Sequence, residues 1–287
     1  MLADLPSFTA MAVSFARAVV SLDQASPAAG LDPVAVRLLP RPVGAVVKGV
    51  EWGARISPLT LRGVRLLSLG VIDHCELRSL AIDAVVRAAL HESRQLVVLG
   101  AGLDARAWRL PEAAGARVFE VDHPSTQRYK RARAGGAEAD VRFVSVDFER
   151  DSLDERLAAA GHDPGAPSVW IWEGVTMYLP RAATVATLDV VRRRSSPGST
   201  LAVTYVTPEI WNLAPAFIPL ILRTFHLGGE PLQGTMSREE MGAALDDAGF
   251  ERVADDGVAD WGRRFRPERS VRVRLAERLA VARRRAS

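Results

Sequence analysis

A chain of 287 residues, 48% hydrophobic and 25% charged, has the material for one large α/β domain or two small ones with a sizeable core. Its single cysteine, Cys75, excludes an internal disulfide and fits a reducing cytoplasm. The formal charge is only +3; the arginine clusters at 192–194, 263–264 and 283–285 are scattered and poor in aromatics, which argues against a nucleic-acid stripe.

In chain order, residues 1–90 read as a helical cap, with loops over 24–33 and 40–44 and helical apolar spacing from Leu69 to Leu90. The start of the chain lacks a basic region before an apolar run, so no secretory leader is expected. From residue 91 the pattern changes. Strands are expected at 96–100, 117–122, 142–147, 168–173 and 199–206, alternating with helices at 105–109, 124–134, 153–160 and 182–195. Such alternation predicts βαβ units and a parallel sheet covered on both faces. It stops at 207–235, an expected lid insertion above the carboxyl ends of the strands. Within it, Ile210–Leu222 is interrupted by Asn212, Pro215 and Pro219 and falls short of the ~20 residues of a membrane span. Ser237-Arg-Glu-Glu240 then matches a capping box, with Gly249 as the C-cap. A sixth strand is expected at 251–255. The arginine-rich tail from 263 fits a strand or a helix. Cap, core (91–287) and lid are expected to form one structural unit.

The most informative stretch is Gln95-Leu-Val-Val-Leu-Gly-Ala-Gly-Leu-Asp104. An apolar strand runs into Gly100 and Gly102, the pattern of a turn that lets a nucleotide-like ligand approach the backbone. Three acids, Asp122, Asp147 and Glu173, close three successive strands, and Asp122 stands where a doubly wound fold receives ribose hydroxyls. Gly100-x-Gly102-x-x-Ala105 also fits a dinucleotide fingerprint, so an NAD(P)-dependent oxidoreductase is the rival. Asp104 opposes it by placing negative charge where a pyrophosphate would sit. No tyrosine–lysine pair offers a hydride-transfer acid. A cofactor without phosphates, carrying a sulfonium cation, suits the acidic rim better.

The ordered blocks LGAGLDARAWRL, FEVDHP, VDF and WEGVTMYLP resemble S-adenosylmethionine-dependent methyltransferases of the leucine carboxyl methyltransferase family, in particular its bacterial polyketide and mycobacterial O-methyltransferase branch. The resemblance runs from about residue 65 to the C-terminus. It implies a Rossmann-like class I fold with a mostly parallel seven-stranded sheet, and S-adenosyl-L-homocysteine as product. It implies that Arg78 pairs with the cofactor's carboxylate, that Gly100 and Gly102 pass under its methionine part, and that Asp122 binds the ribose. Asp147 and Phe148 are implied near the adenine, Glu173 near the amino end, and Tyr178 near the transferred methyl. Ala105 and Ser79 stand where the family often has threonine; neither change removes a charge. A non-catalytic protein of the same fold is the other alternative, opposed by the retained charged residues.

The acceptor is expected to be a small hydrophobic metabolite with a carboxyl or hydroxyl group, entering between the cap and the lid, where Trp211, Phe217 and Phe225 favour an apolar pocket. A carboxylate is already ionised at neutral pH, whereas a hydroxyl needs a base, for which His226 is the candidate. The histidines have no metal-ligand spacing, so no metal is expected. Neither nucleic acid nor a membrane is expected as a partner. The sequence leaves open both carboxyl versus hydroxyl chemistry and the oligomeric state.

Overall fold

The computed structural model describes residues 6–134, 140–147, 150–212, 232–268 and 276–286. The helices α1 (Phe8–Leu22), α2 (Ala35–Leu38), α3 (Arg41–Ile56), α4 (Leu59–Leu67) and α5 (Val71–Leu90) precede the first strand. Then follow β1 (Gln95–Leu99), α6 (Arg106–Arg109), β2 (Arg117–Asp122), α7 (Pro124–Ala134), β3 (Val141–Ser145), α8 (Leu153–Ala159), β4 (Ser168–Trp172), α9 (Arg181–Arg193) and β5 (Thr200–Val206). The chain ends with α10 (Arg238–Asp247), β6 (Phe250–Gly257), α11 (Val258–Phe265) and β7 (Glu277–Arg284). Residues 40–44, expected as a loop, instead open α3: Pro42 occupies its first turn, where a missing N–H costs nothing. The ambiguous tail is helix and then strand.

The seven strands lie in the order β3-β2-β1-β4-β5-β7-β6. β1 to β5 are parallel, with Gln95 level with both Arg117 and Ser168; β7 runs antiparallel between β5 and β6. β1, β4 and β5 are buried at every position, and β1 and β4 accordingly read as nearly unbroken apolar runs. One face carries Val97, Leu99, Phe119, Trp170 and Trp172 against α8, α9 and α10. The other carries Leu96, Val98, Val118 and Ile171 against α5 and α11. α5 also meets the helices before it: its Ile72 and Cys75 pack with Ala16, Val19 and Val20 of α1. α5 therefore joins the preceding helices to the sheet. The strand order reverses between β1 and β4, which opens a crevice at their carboxyl ends.

The expected capping box is present. Ser237 Oγ accepts from the Glu240 N–H at 3.2 Å, and Glu240 Oε2 accepts from the Ser237 N–H at 2.8 Å. Ser237→Ala should cost about 1 kcal/mol, read as a lower urea midpoint at unchanged slope; an unchanged midpoint would show that the cap contributes nothing here.

Candidate cofactor site

A cavity of about 260 Å³ fills the crevice. Its floor is the turn after β1, Gly100 to Asp104; Asp122 and Thr126 line it on one side, and Glu173, Val175 and Tyr178 on the other. Ser7, Thr9, Ala10, Val13 and Arg17 bring the cap across it. The glycines are required by backbone and by space. Gly100 has φ +64° and Gly102 φ +48°. A Cβ on Gly100 would lie 2.4 Å from Val175 Cγ2, and one on Gly102 would lie 3.2 Å from the Ala10 Cβ.

Asp122 locks this turn to β2. Its Oδ2 accepts from the Gly102 N–H at 2.5 Å and its Oδ1 from the His123 N–H at 2.6 Å. Burial pushes its carboxyl above the ordinary value, against the opposing pull of those N–H groups. A carboxylate has about four acceptor positions. These two N–H groups and the nearby Thr126 hydroxyl leave capacity at the cavity edge.

Behind the cavity lies a buried ionic network. Arg17 Nη2 donates to both oxygens of Glu173 at 2.9 Å, Arg78 Nε to Oε1 at 2.9 Å, and Arg106 Nη1 to Oε2 at 2.7 Å. Glu173 thus accepts four N–H contacts, which fills its lone pairs. All four of these contacts come from arginines, and Glu173 also lines the cavity. Arg78 also donates through Nη1 to both oxygens of Glu277, at 3.1 and 2.9 Å. Its Nη2 has no hydrogen bond to any described residue, and the side chain lines the cavity. Burial opposes the charge of Arg78, but Glu277 and Glu173 outweigh it and raise its pKa. Burial likewise would raise the Glu173 carboxyl; Arg17, Arg106 and Arg78 hold it well below the ordinary value.

Asp104 accepts from the Arg106 backbone N–H at 2.7 Å and pairs with the Arg106 side chain. α6, the helix it introduces, has only four residues. A short helix entered past a buried carboxylate is a poor pyrophosphate site, which weighs against the dinucleotide alternative. Tyr178, in a 3₁₀ turn over Thr176–Tyr178, places its hydroxyl 3.1 Å from Thr9 Oγ1 of α1.

The structure thus brings Arg78, Gly100, Gly102, Asp122, Glu173 and Tyr178 around one cavity. Asp147 is not among its lining residues. β3 ends at Ser145, and Asp147 lies in the following loop, half-buried, 3.8 Å from Arg150 Nε. Phe148, His226, Phe217 and Phe225, and the body of the expected lid, lie outside the described residues, as does the side chain of Trp211. Among the described residues no cluster of His, Cys, Asp and Glu is arranged to hold a metal ion. Sequence reasoning missed Arg17, Arg106 and Glu277. Arg17 had a signal: it is the only charged residue in α1.

Residues 10–192 match the leucine carboxyl methyltransferase family. A candidate S-adenosyl-L-methionine-dependent methyltransferase of Mycolicibacterium smegmatis is 43% identical over 42% of the chain, a match that spans only 38% of that relative's length. Another, from Saccharopolyspora erythraea, is 32% identical over 96% of this chain and 92% of its own. A DUF574 family protein of Streptomyces avermitilis superposes with a TM-score of 0.62 at 15% identity, covering 98% of both chains. A candidate methyltransferase of Thermobifida fusca superposes with a TM-score of 0.60 at 17% identity, covering 99% of this chain and 97% of that one. The fold is the Rossmann-like class I methyltransferase fold.

Glu277 allows a test of the network by pH. Burial would raise its carboxyl, but Arg78 and His74 hold it at about 2 against an ordinary 4.5. Between those values the unfolded chain binds more protons. The contribution is complete above about 4.5 and is lost as pH falls toward 2. Urea midpoints should fall over that window, and Glu277→Gln should be less stable at neutral pH with a shallower acid slope. A variant that keeps the wild-type slope would assign the acid loss to other carboxylates.

Proposed function

The chain belongs to the leucine carboxyl methyltransferase family, and on that premise we propose that it is an S-adenosylmethionine-dependent O-methyltransferase. The observation that carries this is the meeting, at one topological switch point, of the Gly100–Gly102 turn, the Asp122 carboxylate and the Arg78 guanidinium. These groups fit the cofactor chemically. Asp122 offers acceptors for ribose hydroxyls. Arg78, and Arg17 beside it, offer cationic donors for a carboxylate. The two glycines let the backbone come close. Asp147 and Phe148 are proposed on the adenine side, beyond the described cavity wall. Glu173 is proposed near the amino end, and it orients the arginines proposed for the carboxylate.

When bound, the cofactor supplies a methyl group on a sulfonium, with S-adenosylhomocysteine as the product. The protein's task is then to align an acceptor oxygen and exclude water, because in-line transfer draws much of its rate from orientation. Tyr178 and Thr9 join the core to α1 across the cavity and so form a wall against solvent. The acceptor is proposed to be a small hydrophobic metabolite with a carboxyl or hydroxyl group. A carboxylate needs no base; for a hydroxyl acceptor we assign the base to His226. The cap (1–90), the core (91–287) and a lid at 207–235 are proposed to work as one unit in the cytoplasm.

Calorimetry should detect S-adenosylmethionine binding and none of NADH. Asp122→Asn should weaken cofactor binding at least ~10-fold, since hydrogen bonds to a charged acceptor are worth about 1.5–3 kcal/mol. NADH binding in place of S-adenosylmethionine would overturn the proposal. Tyr178→Phe should lower turnover more than cofactor affinity; the reverse would remove Tyr178 from the acceptor side. A screen of carboxylic acids and phenols with methyl-labelled cofactor then assigns the chemistry: base-labile products are esters, and stable products are ethers.

A further inference from the structure

The cap exposes an apolar surface that the cavity does not use. Trp52 of α3 is 69% exposed; Leu66 and Leu67 at the end of α4 and Leu69 just beyond it are 74%, 83% and 77% exposed. Val46, Ile56, Leu59 and Val71 are also exposed. α3 buries Gly44 and Val47 against the cap and turns the opposite side outward. At 100° per residue, Val46, Gly49, Trp52 and Ile56 share that outer side. Arg41, Lys48 and Arg55 recur every seven residues and form one row beside them. In α4, Leu59, Arg62 and Leu66 share the outward face at helical spacing.

The charge here is one-sided. Residues 41–71 hold Arg41, Lys48, Arg55, Arg62 and Arg65 against a single acid, Glu51. Arg55 pairs with Glu51 at the surface. Arg65 points inward to Asp23, Asp73 and Glu76, the neighbouring acids of the cap and α5. Arg41, Lys48 and Arg62 have no carboxylate partner among the described residues and stand exposed beside the aliphatic side chains.

We propose that α3, α4 and the Leu66–Val71 turn form a docking surface for an anionic phospholipid bilayer. Apolar side chains beside a row of arginine and lysine make the pattern of a helix that lies in a membrane interface. Each basic residue near an anionic leaflet adds about 1 kcal/mol of attraction. The Leu66-Leu67-Ser68-Leu69 run offers three leucines to the acyl boundary. A second copy of this chain is the weaker occupant: a two-fold contact would bring the same uncompensated cations face to face. No described helix is long and apolar enough to cross a membrane.

The test is sedimentation of the full chain with vesicles of phosphatidylcholine alone or mixed with phosphatidylglycerol, at low and high salt. The protein should pellet with the anionic vesicles, at least ~10-fold more than with neutral ones, and be released by salt. Two variants, Leu66→Ser with Leu67→Ser and Leu69→Ser, and Lys48→Glu with Arg62→Glu, should each lower that partition ~10-fold or more. Their exposed positions should leave the urea midpoint and cofactor binding unchanged. Equal recovery with neutral and anionic vesicles, no recovery with either, or variants that bind like the wild type would overturn the proposal. So would a wild-type dimer by light scattering that the leucine variant dissociates without any vesicle binding.

Discussion

Glu173 and the three arginines that converge on it are the interaction on which the rest of the molecule depends. Arg17 comes from α1, Arg78 from α5 and Arg106 from α6, and Glu173 itself follows β4. One carboxylate thus joins α1, α5 and the turn after β1. Buried charge is expensive unless every partner is present; loss of one member of a buried pair typically costs about 3–5 kcal/mol. Asp83 and Asp104 on Arg106, and Glu277 on Arg78, complete the compensation. The cap is therefore held on the core by charges that already surround the cavity, and docking and site assembly are coupled.

That coupling changes what several site residues do. Glu173 lies beside the cavity with its acceptor positions filled by guanidinium groups. It orients Arg17 and Arg78, which also line the cavity. Asp122 plays a similar double part: it holds the Gly102 amide and keeps a carboxylate edge at the cavity. Glycine at 100 then follows from packing as much as from ligand approach, because Val175 occupies the space a side chain would need. The helix behind the turn is too short and too close to Asp104 to serve as a phosphate cradle, so the turn that resembles a dinucleotide motif carries a different chemistry.

Most of the sheet was legible because its signal is local. The Gln95–Leu99 and Ser168–Trp172 strands read as unbroken apolar runs since both of their faces are covered. Glycine and proline marked most boundaries. Residues 40–44 read as a loop because they are rich in proline and glycine, but Pro40 and Pro42 stand at the start of a helix, where a missing N–H costs nothing. β7 was ambiguous because Glu277–Arg284 is an arginine-rich strand whose charges find partners distant in sequence, such as Asp255 for Arg278. The reach of β3 was overestimated by two residues: the pattern continued to Asp147, but pairing to β2 ends at Ser145.

The sequence by itself determined the doubly wound architecture, the glycine turn and the acids at the ends of β2 and β4, because these depend on periodicity and backbone chemistry over a few residues. Only the tertiary structure decided which charges meet. Arg17 and Glu173 are 156 positions apart, and Arg78 and Glu277 are 199 apart. No local pattern pairs groups at such separations; the pairing follows from how α1, α5 and β7 pack around the carboxyl ends of the strands, where burial obliges each charge to find a partner.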